Sequence, residues 1–523
     1  MLMCSKHITA HSRLVMLDLI SFVVLLALCL PCVHYFSKAR TRRRLPLPPG
    51  PKPWPIFGNI FDLPKDKPWV TYREWSSDLI YLDLPQQPTV ILNTSQAILD
   101  LMEGRSKLYA DKPPMVMDEL LNWDWNFAFM PYGSEWRATR RTFHQHFNQQ
   151  AAQKYHPIQT REIRVFLKRV IAMSNENKIL DSGVVSQTFA ATILDIVYGM
   201  RIHDFSDEFV SLSRKAVECL VISRLPGVFW VEYFPWLRHL PSWLPFSSAR
   251  RFAAQYRHLV DTAHHKAFDA LQDTATNKAA APSVATTLIH DLRNQPQDTE
   301  HYKQSERAAR DATGVAYAAA VDTQYGVMLH FFLAMVAYPD VQKRAQEDLD
   351  FFVGPGRLPT FEDSASLPFI QAILLEVLRW HPIVPLGLPH RAFEDDEYRG
   401  YSIPAGTIVM ANTWAMLHDP KDYPDPEAFN PDRFMRDGAL NPEVRSPVAA
   451  FGYGRRICPG RHLATESLAL MIASILHVFN VEPTEDDVST GTTTGLFSYP
   501  EKIPCRLVPR SQAAVDLINA ESS

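Results

Sequence analysis

Residues 19–36 (LISFVVLLALCLPCVHYF) contain no Asp, Glu, Lys or Arg, and the apolar run reaches back to Leu14 with only Asp18 interrupting it. A run of about 20 apolar residues is what a helix needs to cross a bilayer. Lys38, Arg40, Arg42, Arg43 and Arg44 come at once after it, against only Lys6 and Arg13 before it. That imbalance predicts one transmembrane helix over about 14–36, with the rest of the chain on the cytosolic side. A cleaved signal peptide fits less well, because the span is long and its arginines lie on the far side. The linker Leu45-Pro-Leu-Pro-Pro-Gly-Pro-Lys-Pro-Trp-Pro55 is stiff and extended, and would hold a globular body against the membrane.

Beyond the linker, residues 81–92 read as two strand pieces around a turn, and helical periodicity dominates thereafter. The longest helix is expected from about 300 to Tyr338, stopped by Pro339; 461–479 is another, directly after a Gly-rich segment. The stretch 225–246 is rich in Pro and Trp, consistent either with a packed loop or with a segment that dips into a membrane. The pattern predicts a mainly α fold with smaller β-sheets (α+β). The expected division is an anchor over 1–44, one large domain over 45–510 and a tail over 511–523.

Composition narrows the function classes. A net charge of −4 and the absence of a basic stripe argue against a nucleic-acid binder. Of six cysteines the one C-x-x-C pair, Cys29 and Cys32, falls inside the apolar run without a second pair to complete a zinc site. No disulfide framework is expected, in keeping with a reducing compartment. No G-x-G-x-x-G follows a strand, so no nicotinamide or flavin site is expected in this chain.

The chemistry centres on Phe451-Gly-Tyr-Gly-Arg-Arg-Ile-Cys-Pro-Gly460. Gly454, Pro459 and Gly460 let the backbone arch so that amide N–H groups point at the Cys458 sulfur. Arg456 supplies a cation and Phe451 a flat apolar shield, and the helix that starts at 461 would put its positive end beside the sulfur and favour the thiolate. A second group lies in the long helix, Ala316-Tyr-Ala-Ala-Ala-Val-Asp-Thr-Gln-Tyr-Gly326, where Asp322 and Thr323 place an acid and an alcohol among apolar residues. A buried carboxylate is costly unless paired or functional. Its ordinary explanation is a salt bridge, with the threonine bonding a carbonyl one turn back. A third is Glu376-Val-Leu-Arg379, whose i, i+3 charges share one helix face within nearly wholly apolar flanks, with Arg433 of Pro431-Asp-Arg-Phe434 a candidate partner.

The cysteine segment has every fixed position of Phe-x-x-Gly-x-Arg-x-Cys-x-Gly, and the chain over about 45–510 resembles the cytochrome P-450 family. Asp419-Pro420, Tyr423-Pro-Asp-Pro426, Phe451-Gly-Tyr-Gly-Arg455 and Thr493-Thr-Gly-Leu-Phe497 resemble basidiomycete members active in secondary metabolism. The resemblance implies a haem b whose iron is ligated by Cys458. It implies propionate contacts from Trp136 and Arg140 (Trp136-Arg-Ala-Thr-Arg140), from His390 and from Arg456, with Phe451 shielding the sulfur. A histidine satisfied within the core is the ordinary alternative for His390. Ala319–Gln324 is similar to the family's Ala-Gly-x-Asp-Thr-Thr, giving Asp322 and Thr323 a proton-relay role at the oxygen-binding face. Here Ala320 replaces the usual glycine, adding a methyl group near the dioxygen site, and Gln324 replaces the second threonine.

The activity that the resemblance implies is that of a monooxygenase inserting one oxygen atom from O2. Its electrons would come from a separate NADPH-dependent reductase docked on the positive face made by Arg137, Arg140, Arg141, Arg455 and Arg461. Trp123, Trp125, Phe127, Phe129, Ala316, Ala320, Ile383–Leu386, Leu496 and Phe497 are expected to wall a pocket for a lipophilic small molecule of terpenoid, polyketide or indole type. A thiolate-haem isomerase or dehydratase would share Cys458 but would not need the acid–alcohol pair; broad-range xenobiotic oxidation would use both. The expected location is the endoplasmic reticulum membrane, single-pass, with the catalytic domain in the cytosol.

Overall fold

The computed structural model describes residues 45–520 except 76, 203–207, 275–280, 298 and 485–490. The expected membrane-spanning helix and the arginines behind it lie outside these residues. The helices that frame the site are α1 (Val116–Leu121), α2 (Ser134–Phe147), α3 (His156–Asn175), α4 (Ser182–Tyr198), α5 (Glu208–Ser223), α6 (Ser248–Thr274), α7 (Val284–Arg293), α8 (Glu300–Ala337), α9 (Pro339–Phe352), α10 (Pro368–Trp380), α11 (Arg461–Val478) and α12 (Gln512–Ala520). Strands β1 (Leu79–Leu82), β2 (Thr89–Leu92), β3 (His390–Arg391) and β4 (Ile408–Ala411) form a sheet in the order β1-β2-β4-β3. Its β2–β4 pair is parallel, and the other two pairs are antiparallel. Strands β5 (Phe479–Pro483) and β6 (Cys505–Pro509) pair separately. The mainly helical fold with small sheets is thus what the chain adopts. The segment set apart as a tail from 511 begins as α12, which buries Ala514 and Ile518 in the domain.

The local signals behave as their chemistry dictates. Helix α8 opens with the Thr299 hydroxyl accepting from the Tyr302 N–H at 3.0 Å, and it ends one residue before the expected Tyr338. Pro339 then starts α9, because its fixed φ suits a first helical turn. Helix α8 is long and apolar enough to pass for a membrane span, but that stretch is mostly buried within the domain. Its first half (Ala309–Tyr317) packs with Trp123, Trp125, α4 and α6 in one core cluster. Its last turns (Val327–Val336) pack with the sheet, α10 and α11 in another. Between them, Ala318 and Ala320–Thr323 are only half-buried and Ala319 is exposed. The turn carrying Asp322 and Thr323 therefore lies where two cores meet and neither closes over it.

The third motif assembles as its apolar flanks predict. Glu376 and Arg379, both fully buried, pair through Nε–Oε2 at 2.7 Å and Nη2–Oε1 at 2.8 Å. Arg433 Nε adds a contact to Glu376 Oε1 at 3.0 Å, and the Asn430 N–H another at 2.8 Å. The remaining guanidinium N–H groups donate to the carbonyls of Leu417, Pro424, Asp425, Pro426 and Ala428. One carboxylate thus fixes two arginines, and they fix the loop that leads towards Cys458. Removing it would leave Arg379 charged and uncompensated in the core. Glu376→Ala is therefore expected to cost about 3–5 kcal/mol in urea unfolding. A loss below about 1 kcal/mol, the worth of a solvent-exposed pair, would show that the network does not hold the fold.

Candidate active site

Cys458 stands at the end of a closed loop. Its N–H donates to the Phe451 carbonyl at 2.7 Å, so the two ends of the motif meet. At Gly454 φ is +50°, and a Cβ there would lie 2.5 Å from the Met102 carbonyl oxygen, so only glycine lets the loop rest on the 99–106 segment. The Gly454 N–H is held by the Glu103 carboxylate at 2.8 Å. Helix α11 begins at Arg461 with Gly460 before it, so the backbone amides of Gly460 and Arg461 lie near the sulfur and favour its anion. Burial pushes the Cys458 thiol up; those amides, with the charges of Arg140 and Arg461, push it down, and burial wins. A lone soft sulfur ringed by amides suits a metal that takes the charge burial disfavours.

Beside the loop lies a group of buried cations. Arg456 donates from Nε to Ala110 O at 2.6 Å, from Nη1 to Phe127 O at 3.1 Å and from Nη2 to Met130 O at 2.9 Å, and it stacks 4.2 Å over the Trp136 ring. Arg140 Nη2 donates to Ile457 O at 2.5 Å, and Trp136 Nε1 to Phe127 O at 3.1 Å. His390 is buried in β3 and bonds Tyr109 O through Nδ1 at 2.6 Å; a carbonyl only accepts, so Nδ1 carries the hydrogen. Lys112, 2 % exposed, donates to Leu388 O at 3.1 Å. Burial lowers all four basic side chains: Arg140 to about 10, Arg456 to about 9, and Lys112 and His390 well below their ordinary values. Their mutual repulsion adds to this, Arg456 acting on Lys112 and both on His390. The nearby Asp111 is already committed to Arg391 Nε at 2.7 Å and to the Tyr132 N–H at 2.8 Å. A buried set of guanidinium, lysine and imidazole N–H donors short of anions fits the two propionates of the haem that the sequence implies.

Trp136, Arg140, His390 and Arg456 thus converge as expected, although each bonds a backbone carbonyl. Lys112 joins them without any signal in the sequence. A single lysine in Asp111-Lys-Pro-Pro114 reads as solvated, and only its burial singles it out.

On α8, Asp322 makes no hydrogen bond or ion pair within the described residues, so the salt bridge that would ordinarily explain it is not formed there. Its carboxyl is pushed up to about 6, first by burial and then by Glu218 of α5, with Arg214 opposing. The Thr323 hydroxyl does donate one turn back, to Ala319 O at 2.8 Å, which leaves its oxygen free to accept. Gln324 Nε2 donates to Ala320 O at 3.2 Å, while its buried Oε1 has no partner.

The expected pocket wall needs correction. Trp123 stacks on Trp125 at 5.1 Å, and Trp125 lies flat on His264 of α6 at 3.9 Å, in the slot left by Gly314. These rings, with Phe127, are fully packed core. Their spacing could not distinguish a wall from a core. Phe497 instead touches both core clusters and, with Ala320, stays half-buried beside the open turn of α8.

A family model described as "Cytochrome P450" matches residues 48–504. A cytochrome P-450 monooxygenase of Coprinopsis cinerea is 37% identical over 508 residues, covering 94% of this chain and 95% of its own. Tryptamine 4-monooxygenase of Psilocybe cyanescens is 36% identical, covering 94% of this chain and 98% of its own. A further cytochrome P-450 monooxygenase, from Rhodocybe pseudopiperita, is 37% identical over 93% of this chain and 94% of its own.

The Asp322 geometry gives a signed pH dependence. Its folded value of about 6 exceeds the unfolded value of about 3.9, so the fold keeps the proton longer than the unfolded chain. The neutral carboxyl's advantage is full below about pH 4 and is lost as pH rises through 6. Asp322→Asn does not titrate, so its stability relative to the natural protein is expected to rise by about 1–2 kcal/mol from pH 4 to pH 7 in urea unfolding. A flat or falling difference would mean that the carboxylate is paired or solvated.

Proposed function

The chain belongs to the cytochrome P-450 family of monooxygenases, whose cofactor is a thiolate-ligated haem b, and on that premise we propose that it hydroxylates a lipophilic small molecule of fungal secondary metabolism. The observation that carries the oxygen-using reading is the unpaired Asp322 beside Thr323 on the half-buried turn of α8, which a haem isomerase or dehydratase would have no use for. For the substrate class, terpenoid, polyketide or indole, support comes from the half-buried apolar residues Ala320 and Phe497 and from a relative named for tryptamine.

Haem, when bound, supplies the activation of O2, one atom of which enters the substrate while the other leaves as water, at the cost of two electrons and two protons. Cys458 ligates the iron, and Phe451 keeps water from the sulfur. Lys112, Trp136, Arg140, His390 and Arg456 would hold the propionates through their N–H donors. Asp322, raised into the range where it gains and loses protons near neutrality, draws a proton from solvent. The Thr323 oxygen accepts it and passes on its own hydrogen, releasing the Ala319 carbonyl. Ala320 narrows the space on this side by one methyl group. Electrons come from an NADPH-dependent reductase docked where Arg137, Arg141 and Arg455 are exposed.

We place the enzyme on the endoplasmic reticulum membrane, single-pass, with this domain in the cytosol. The stretch 225–246 divides between its two readings: Phe229, Val231, Tyr233 and Leu237 are buried, while Trp236, Trp243 and Phe246 are exposed. Trp230 and Phe234 meet Phe57 at 6.1 and 6.3 Å, joining this surface to the start of the domain, where Trp54 and Phe61 are also exposed. Such an aromatic face suits a bilayer interface.

Membranes expressing the chain are expected to show a thiolate-type Soret shift in the reduced, carbon-monoxide difference spectrum, absent in Cys458→Ala. With reductase and a turned-over substrate, Thr323→Ala is expected to lower product formed per NADPH by about tenfold while leaving that spectrum intact. Unchanged coupling would remove Thr323 from proton delivery.

A further inference from the structure

Several residues just ahead of Cys458 are pinned from outside its loop. The Tyr453 hydroxyl meets Thr413 at 2.9 Å, Arg456 donates to the Ala110, Phe127 and Met130 carbonyls, and the Ile457 carbonyl accepts from Arg140. Gly454 is the remaining one, its N–H going to Glu103 Oε1 at 2.8 Å. Glu103 alone among these partners is exposed, and it alone brings a carboxylate.

The turn that carries Glu103 departs from ordinary helix. Over Leu99–Gly104 the chain widens, and the Arg105 N–H donates to the Asp100 carbonyl, five residues back, at 3.1 Å. Such widened turns are rare and recur at functional sites. One side of this turn is seated inward: Leu101 and Met102 are buried, and the Met102 carbonyl oxygen fills the space that a side chain on Gly454 would need. The other side is bolted to the hairpin of Asp396–Tyr398 and Tyr401–Ile403. Arg105 Nη1 reaches both Asp396 carboxylate oxygens at 2.7 Å, Tyr109 donates to the same carboxylate at 2.7 Å, and Tyr398 donates to Asp100 at 2.6 Å. Glu103 is thereby presented to Gly454 from a fixed base.

What it holds is the start of the tight turn Gly454–Arg456, whose first N–H lies outside the turn's own hydrogen bonds. Glu103 answers that N–H with a charge-assisted bond. Ile457 and Cys458 follow directly, so a turn that swings carries the sulfur with it. A sulfur that leaves the iron is left where burial favours the thiol.

We propose that Glu103 is a positioning residue for the haem ligand: by holding the Gly454 N–H it keeps the turn and Cys458 in place, and so determines how long the sulfur stays on the iron as a thiolate. Glu103 acts through the loop and takes no part in the chemical step. The role rests on the haem-thiolate reading above.

The test uses the full-length haem protein in its reduced, carbon-monoxide form without denaturant. It follows the rate at which the thiolate-type Soret band gives way to the thiol-type band. Glu103→Leu removes the acceptor and is expected to speed this conversion about tenfold, the effect of one lost charge-assisted hydrogen bond. Glu103→Gln keeps a neutral acceptor at the same reach and is expected to speed it about threefold. The unfolding equilibrium in urea should move by no more than about twofold, because the contact is exposed. An unchanged conversion rate in Glu103→Leu overturns the role, and so does an unfolding equilibrium that moves as far as the conversion, the mark of a generally weakened fold. Should Glu103→Leu fail to take up haem, Glu103→Gln carries the comparison, and no acceleration there overturns the role. Hydrogen exchange separates the clamp from the haem reading. The Gly454 amide is expected to exchange about tenfold faster in Glu103→Leu than in the natural protein, and equal exchange overturns the clamp whatever the cofactor. A natural protein without a thiolate-type band would sink the haem reading, and the thiolate role with it, even where the exchange result holds.

Discussion

Burial works against the one group the enzyme needs charged. The Cys458 sulfur lies where a bare thiolate is disfavoured, and the amides of Gly460 and Arg461 with the charges of Arg140 and Arg461 recover only part of the difference. Iron ligation supplies the remainder, so the protein's part is to hold the sulfur still and dry. That explains how much of the chain serves a single loop. Gly454 seats it on the 99–106 segment, Phe451 closes it, α11 points its positive end at it, and Glu376 with its two arginines fixes the chain that leads into it. The network behind the site and the thiolate within it obey the same logic: a buried charge is tolerated where several donors or a metal answer it.

The cation group beside the loop is the complementary case. Lys112, Arg140, His390 and Arg456 sit together, and the nearby acid, Asp111, is held by Arg391. Such a group is poorly balanced in the protein alone and well balanced once two carboxylates arrive. Haem binding would therefore contribute to folding as well as to chemistry, because its carboxylates answer donors that burial otherwise leaves costly.

Much of this was legible in the sequence, and the reasons are local. The cysteine segment is read from fixed spacing, α8 and α11 from periodicity, one stopped by Pro339 and the other starting after the Gly-rich segment, and the Glu376 pair from charges placed one turn apart among apolar neighbours. The unread parts depend on contacts between distant segments. Nothing near Lys112 announces its burial. Trp123 and Trp125 alternate as a pocket wall would, yet Gly314, nearly two hundred residues on, leaves the slot that makes them core. Glu232 has no local signal at all: the Val116 and Met117 main-chain amides and the Gln87 side-chain amide that donate to it lie more than a hundred residues away.

The departures at Ala320 and Gln324 become intelligible through the position of their helix. Helix α8 is closed by packing at both ends and open at its middle turn, so side chains there are free to be chosen for chemistry. At such a turn the carbonyls of Ala319 and Ala320 are weak points, because the helix ladder is exposed to competing donors. Thr323 and Gln324 donate to these same two carbonyls. A glycine at 320 would leave the turn looser, and a second threonine at 324 would place its hydroxyl where the longer amide now reaches back. Gln324 reaches back to the Ala320 carbonyl, while its orphan Oε1 keeps one acceptor available inside the fold. Where the family's pattern has a second hydroxyl, this chain therefore offers a buried amide oxygen at the position next to Thr323.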